Sequence, residues 1–204
     1  PADRALAFVL WLWFVNLYNF MDGINGMAAG QTVTIGAGLG AALLGFGDVW
    51  LDAWVGFVAL PLATASLGFL RWNWPPAKVF LGDAGSVPLG YAVGGLLLLA
   101  AANGAWLPAA ILPLYFVADA TTTLVRGLAR GRAPWRAHRE HAYQIAVRAG
   151  RSHRWVTSRV LLLGLWLVVL AMAAAKDPGL GALALALACV SVGATLWYFR
   201  RQRP

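Results

Sequence analysis

Residues 156–175 read VTSRVLLLGLWLVVLAMAAA and residues 180–199 read LGALALALACVSVGATLWYF, with only Lys176, Asp177, Pro178 and Gly179 between them. Each stretch is about as long as a helix must be to cross the apolar core of a bilayer, roughly 20 residues at about 1.5 Å each. Arg159 is the one charge in either run. A helix of that length in water needs a charged face, and neither run has one. The pair therefore predicts a transmembrane helical hairpin closed by a four-residue turn.

Working outward, comparable runs occupy roughly 5–18, 27–46, 51–70, 87–103 and 107–125, which makes seven with the hairpin. Charge, Pro, Gly or Trp bounds each of them, as helix ends at a membrane surface require. Seven of the eleven tryptophans (Trp50, Trp54, Trp72, Trp74, Trp106, Trp155 and Trp197) sit at or near a run's end, where an amphipathic ring is at home. The composition agrees: 60% of the 204 residues are hydrophobic and 12% charged, against about 45–50% and about 25% in soluble domains. So few charges cannot coat a water-facing surface. Disorder, a collagen-like chain and a nucleic-acid-binding domain are excluded by the same comparison. The predicted fold is all-α and integral to the membrane, one polytopic domain over residues 1–204 with about seven transmembrane helices and active-site loops in the cytoplasm.

The net charge of +8 sets orientation rather than binding nucleic acid. If the spans alternate, one set of connections (19–26, 71–86, 126–155 and the tail after 199), taken with Arg159 just inside the adjoining run, holds 14 of the 16 basic residues, and the other keeps only Arg4 and Lys176. The basic set is expected in the cytoplasm, with the N-terminus outside. Such loops also suit anionic lipids and phosphate-bearing substrates. No basic segment or small-residue cleavage site precedes the first run, so a signal peptide is not expected. The single cysteine, Cys189, excludes an internal disulfide and is expected to be a buried, inert thiol.

Three segments on the basic side are richer in specific polar groups than a connection requires. The first is Asn16-Leu-Tyr-Asn19-Phe-Met-Asp22-Gly23-Ile-Asn25-Gly26. Asx-Gly pairs form turns, but three Asn and one Asp at a membrane boundary also offer donors and acceptors to a base, a ribose or a metal-bound phosphate. The second is Phe80-Leu-Gly82-Asp83-Ala-Gly85-Ser86, ahead of a span. Glycines and a helix N-terminus favour phosphate, whereas Asp83 repels it; a Mg²⁺ ion between them resolves the conflict, unless Asp83 merely caps the helix. The third is Arg136-Ala-His138-Arg139-Glu140-His141-Ala-Tyr143-Gln144, whose His/Arg cluster either binds phosphate or is a solvated basic loop. Gly36-x-Gly38-x-Gly40 is expected to serve close helix packing. Asp119, ionisable inside a span, reads equally as a polar anchor and as a site residue, with Arg126, Thr122 and Thr123 on neighbouring turns.

In order, Asn19-x-x-Asp22-Gly-Ile-Asn25-Gly-Met-Ala, Phe-Leu-Gly-Asp83-Ala-Gly-Ser and His-Arg-Glu-His141-Ala-Tyr-Gln resemble the polyprenyl-phosphate N-acetylaminosugar-1-phosphate transferases, the MraY/WecA-like glycosyltransferase family 4. The resemblance covers the whole chain, as about the last two thirds of a family member. It implies transfer of a sugar 1-phosphate from a UDP-sugar to polyprenyl (undecaprenyl) phosphate with release of UMP, in cell-envelope polysaccharide synthesis at the bacterial inner membrane. It also implies a Mg²⁺ cofactor, for which Mn²⁺ can substitute, and it is compatible with a homodimer. Asp83 resembles the metal ligand, with Asn19 a neighbouring metal or nucleotide contact. Asn25 resembles the group near the uridine and Asp22 a catalytic carboxylate, while His138, Arg139 and His141 resemble the loop that holds the diphosphate and sugar. Asn25 stands where some branches carry a second Asp, which points to the WecA-like side, and Tyr143 and Gln144 stand where others carry histidines.

The family's paired Asp-Asp motif lies upstream of these segments, and no Asp-Asp pair occurs in this sequence. The expectation is an N-terminally truncated transferase that is inactive by itself, or a catalytically incomplete lipid-binding remnant. A transporter or channel is the alternative from another class, since Asp119 and Gly-rich spans also suit a permeation path; its site would lie near the bilayer midplane.

Overall fold

A computed structural model describes residues 2–46, 50–131 and 140–202. They form helices and connecting turns, with no strand among the described residues. The elements are α1 (Ala2–Met21), α2 (Met27–Phe46), α3 (Trp50–Asn73), α4 (Gly82–Ala102), α5 (Trp106–Ile111), α6 (Leu114–Ala129), α7 (Ala142–Arg148), α8 (His153–Lys176) and α9 (Gly181–Arg201). Six of these, α1 to α4, α8 and α9, are long and apolar enough to cross a membrane. The chain is a multi-pass membrane protein.

The expected seventh span, 107–125, is not one helix. Proline has no N–H to donate and its ring obstructs the preceding turn, so the run divides at Leu112–Pro113 into α5 and α6. A polar group at such a break needs a partner inside the protein. The Leu112 carbonyl accepts a hydrogen bond from Gln31 Nε2 at 3.2 Å, which also satisfies the buried Gln31 amide. Together α5 and α6 return the chain from the Asn103–Ala105 turn to the end of the bundle where α1, α3 and α9 finish.

Helix α2 is the hub. About 78% of its apolar window is buried inside the protein, whereas the other five spans bury 22–39% of theirs and turn the rest outward. What lets its neighbours approach is the absence of Cβ atoms: one built on Gly36 would lie 2.7 Å from the Ala59 carbonyl oxygen, and one on Gly38 or Gly40 would strike Leu112 or Leu60. The Gly36-x-Gly38-x-Gly40 stretch therefore serves helix packing, as expected. Exposed apolar side chains such as Phe8, Leu162, Leu165 and Val190 cover the outer faces of α1, α8 and α9, an apolar surface suited to lipid. Cys189 is on such a face of α9 and is exposed, not buried in the protein as the apolar run suggested.

The hairpin read from the sequence is present. Asp177 caps a 3-10 turn at Pro178–Leu180 by accepting the Gly179 N–H at 2.8 Å, and α8 and α9 pack on either side of it. At the opposite end of these helices Arg159 lies 3.6 Å over the Trp155 ring and Arg201 4.0 Å over Trp197. Cations stacked on interfacial tryptophans mark that end as the headgroup level.

Candidate active site

Hydrogen bonds draw the polar segments together at this same end. Helix α1 stops at Met21, and the Asp22–Gly26 turn reverses the chain into α2, with Gly26 at φ +78°, a left-handed conformation in which a Cβ is strained. The turn is held from three sides. Asn73, at the end of α3, accepts the Gly26 N–H at 2.8 Å and donates to the Val79 carbonyl at 2.8 Å. Thr157 on α8 donates to the Asn25 carbonyl at 2.8 Å. Tyr143 on α7 donates to the Phe20 carbonyl at 2.9 Å, and its hydroxyl occupies the space that a side chain on Gly23 would need.

The expected loop around Asp83 is already helical. Gly82 adopts φ +58° and opens α4, which puts Asp83 in its first turn. No side chain caps this helix, so Asp83 is not used as a cap, and the first N–H groups of α4 lack intrahelical partners. One turn on, the buried Ser86 hydroxyl donates to Asn19 Oδ1 at 2.5 Å, tying α4 to α1 and leaving that oxygen a second lone pair. Asp22 and Asp83 thereby share one locality. Asp22 is half-buried, and its carboxyl is pushed up from 3.8 to about 7, first by burial and then by the negative charge of Asp83. Two carboxylates in this relation are relieved by a proton or by a cation.

His141 is buried and stands in extended conformation immediately before α7, where its N–H donates to Gln144 Oε1 at 3.3 Å. Its ring stacks on Tyr143 at 5.7 Å. Tyr143 and Gln144 thus hold α7 in place, and burial pushes the Tyr143 hydroxyl well above the usual tyrosine range. His138 and Arg139 lie outside the described residues, so the brought-together set is Asn19, Asp22, Asn25, Asp83 and His141. Asn73 and Ser86 are the positioning residues that sequence reasoning passed over. Ser86 was at least inside a recognised motif; nothing in the sequence pairs Asn73 with Gly26.

Asp119 is an anchor. Fully buried on α6, it accepts the Ala142 N–H with both oxygens, at 2.8 and 3.0 Å, and meets Arg200 Nη2 of α9 at 3.3 Å. Thr123 adds a bond at 3.3 Å, whereas Arg126, the cation expected on its face, is not its partner. The residue that suggested a permeation path is therefore occupied in joining α6, α7 and α9.

A bundle of membrane helices with carboxylates, amides and a histidine gathered at one headgroup-level face defines a polytopic membrane protein with an interfacial polar site. Residues 3–101 match the model of glycosyl transferase family 4. It is 31% identical over 91% of its length to the decaprenyl-phosphate N-acetylglucosaminephosphotransferase of Mycolicibacterium smegmatis, covering 50% of that protein. The probable undecaprenyl-phosphate N-acetylglucosaminyl 1-phosphate transferase of Bacillus subtilis is 29% identical over 76% of the chain and 44% of its own length. The phospho-N-acetylmuramoyl-pentapeptide-transferase of Moorella thermoacetica is 43% identical over 46% of the chain and 28% of its own length. The chain spans about half the length of the first two of these relatives, or less.

Proposed function

We propose that this chain belongs to the machinery that transfers an N-acetylhexosamine 1-phosphate from a UDP-sugar to polyprenyl phosphate, with the polar face on the cytoplasmic side of a bacterial inner membrane. The convergence of Asp22 and Asp83 beside Asn19 carries this reading, supported by the family and by the activities that the relatives' names state. A phosphate oxygen of the lipid forms a bond to the sugar-bearing phosphorus, the bond from that phosphorus to the bridging oxygen breaks, and UMP leaves with the electron pair. Asp22, held near neutrality, is suited to take the proton of the attacking lipid phosphate. The amides of Asn19 and Asn25 are assigned to the nucleotide and, by the family resemblance, His138, Arg139 and His141 to the diphosphate.

The donor set suits Mg²⁺, with Mn²⁺ as a substitute. Asp83 is the assigned ligand, Asn19 is tied to the same helix one turn on through Ser86, and the repulsion felt by Asp22 is what a divalent cation would relieve. Among the described residues no three His, Cys, Asp or Glu side chains converge on a point. That accords with an ion which binds one or two carboxylates and fills its shell with water and substrate phosphates. When bound, the ion supplies neutralisation of the diphosphate charge. Residues 1–204 alone are expected not to turn over, because the family's Asp-Asp pair does not occur in them.

The test is UMP release from UDP-N-acetylhexosamine in detergent, by residues 1–204 and by a fusion that adds the upstream spans of the Mycolicibacterium relative. The expected result is release by the fusion only, dependent on both polyprenyl phosphate and Mg²⁺, and lost in Asp83→Asn. Arg139→Lys should lower kcat/KM by about 1.5–3 kcal/mol, the range for hydrogen bonds to charged groups. Full activity in Asp83→Asn with unchanged Mg²⁺ dependence would remove the metal assignment.

A further inference from the structure

Helix α7 has two working faces. Tyr143 points one of them at Phe20 and the Asp22 turn, whereas Ile145 and Arg148, roughly 200° and 140° further round at about 100° per residue, belong to the other. That second face closes a pocket of about 250 Å³ against the ends of α6 and α9, lined by Arg126, Arg130, Arg148 and Arg200 together with Thr123 and Glu140. We propose that this pocket binds a phosphate group, either the headgroup phosphate of an anionic phospholipid or a phosphate from solution. The proposal is independent of the transferase reading.

Charge, hydrogen bonding and position all bear on it. Glu140 meets Arg130 at 3.5 Å and Asp119 meets Arg200 at 3.3 Å, so among the described residues four arginines stand against two carboxylates at the pocket. Among the described residues, neither Arg126 nor Arg148 has a carboxylate within salt-bridge distance. Converging guanidinium groups from three helices repel one another unless an anion lies between them. Arg200 is restrained by Asp119, Thr122 and Thr123 through Nη2, yet its buried Nε has no hydrogen-bond partner. A buried donor left over beside a cationic cavity calls for an oxygen acceptor. A phosphate supplies several, in the geometry that guanidinium groups match. The arginine-stacked Trp155 and Trp197 mark this end as the headgroup level, where a lipid phosphate arrives laterally and a soluble one from water.

The experiment uses the full chain with two probes. Native mass spectrometry counts lipids retained from an equimolar mixture of phosphatidylglycerol and phosphatidylcholine, and equilibrium dialysis in lipid-free detergent measures uptake of inorganic phosphate. Preferred retention of phosphatidylglycerol assigns the lipid source, and uptake of phosphate assigns the soluble one. Either signal should fall at least tenfold in the double variant Arg126→Gln/Arg148→Gln, while Arg151→Gln/Arg154→Gln, outside the pocket, leaves it unchanged. Arg126 and Arg148 are both exposed, so unfolding temperature serves as the control that the fold survives. The proposal is overturned if the wild type shows neither signal, if the pocket variant binds like the wild type, or if both double variants lose binding equally.

Discussion

The carboxylate of Asp119 holds the backbone N–H of Ala142 in a two-oxygen grip, 23 residues along the chain, and with it fixes the helix that follows His141. Arg200 balances the charge from α9. Breaking a buried pair by removing one member costs about 3–5 kcal/mol, because the other is left uncompensated. Asp119→Ala should therefore lower thermal stability by an amount of that order, read from unfolding in detergent. Asp119→Leu combined with Arg200→Met should be less damaging than Asp119→Ala alone, since neither charge is then stranded.

Gly23 and Tyr143 form a second coupled pair. A Cβ at position 23 would overlap the Tyr143 hydroxyl, so Gly23→Ala must displace either the turn or α7. Overpacking of this kind costs about 1–3 kcal/mol. Adding Tyr143→Phe removes the atom in closest conflict, and the double variant should recover part of the lost stability. A double-mutant cycle with additive losses would contradict this coupling.

Asn73 bridges two otherwise separate segments. Replacing it with Ala strands the buried Gly26 N–H, at a cost of about 1–3 kcal/mol, and also releases the part-buried Val79 carbonyl. Hydrogen exchange should accelerate in the Asp22–Gly26 turn and around Val79, and leave the α8–α9 hairpin as protected as before.

The pH dependence of stability follows from Asp22. In the fold its carboxyl titrates at about 7, against 3.8 for an ordinary aspartate. Between those values the folded protein keeps a proton that the unfolded chain has released, so raising the pH weakens the fold across that window. Above about 7 both states are ionised and the loss is complete. In EDTA, the unfolding temperature should fall from pH 4 to 7 more steeply for the wild type than for Asp22→Asn, in which this titration is absent.

The spans were legible because a bilayer demands length and apolarity, both of which are local properties. The division at Pro113 is not visible in the hydropathy of 107–125, because one proline barely alters the apolar count of the run. The candidate site was legible as far as its residues fall in short motifs: Asn19, Asp22, Asn25, Asp83 and His141 do, and the fold brings those segments to one end, while their roles rest on the proposal. The supports were not, because they act across sequence distance. Asn73 reaches Gly26 over 47 residues and Tyr143 reaches Phe20 over 123, pairings that neither hydropathy nor spacing encodes. Asp119 was recognisable as unusual; only its contacts with Ala142 and Arg200 distinguish an anchor from a site residue.

The Asp119–Arg200 pair also imposes an order on synthesis. Helix α6 is made 81 residues ahead of its arginine, so until α9 follows, the Asp119 carboxylate lacks its counter-charge. Its second partner, the Ala142 N–H, arrives in between and offers a hydrogen bond but no cation. The polar face can therefore be completed only once α9 has been made, and a chain stalled between α7 and α9 would keep an acid without its cation at that end of the bundle.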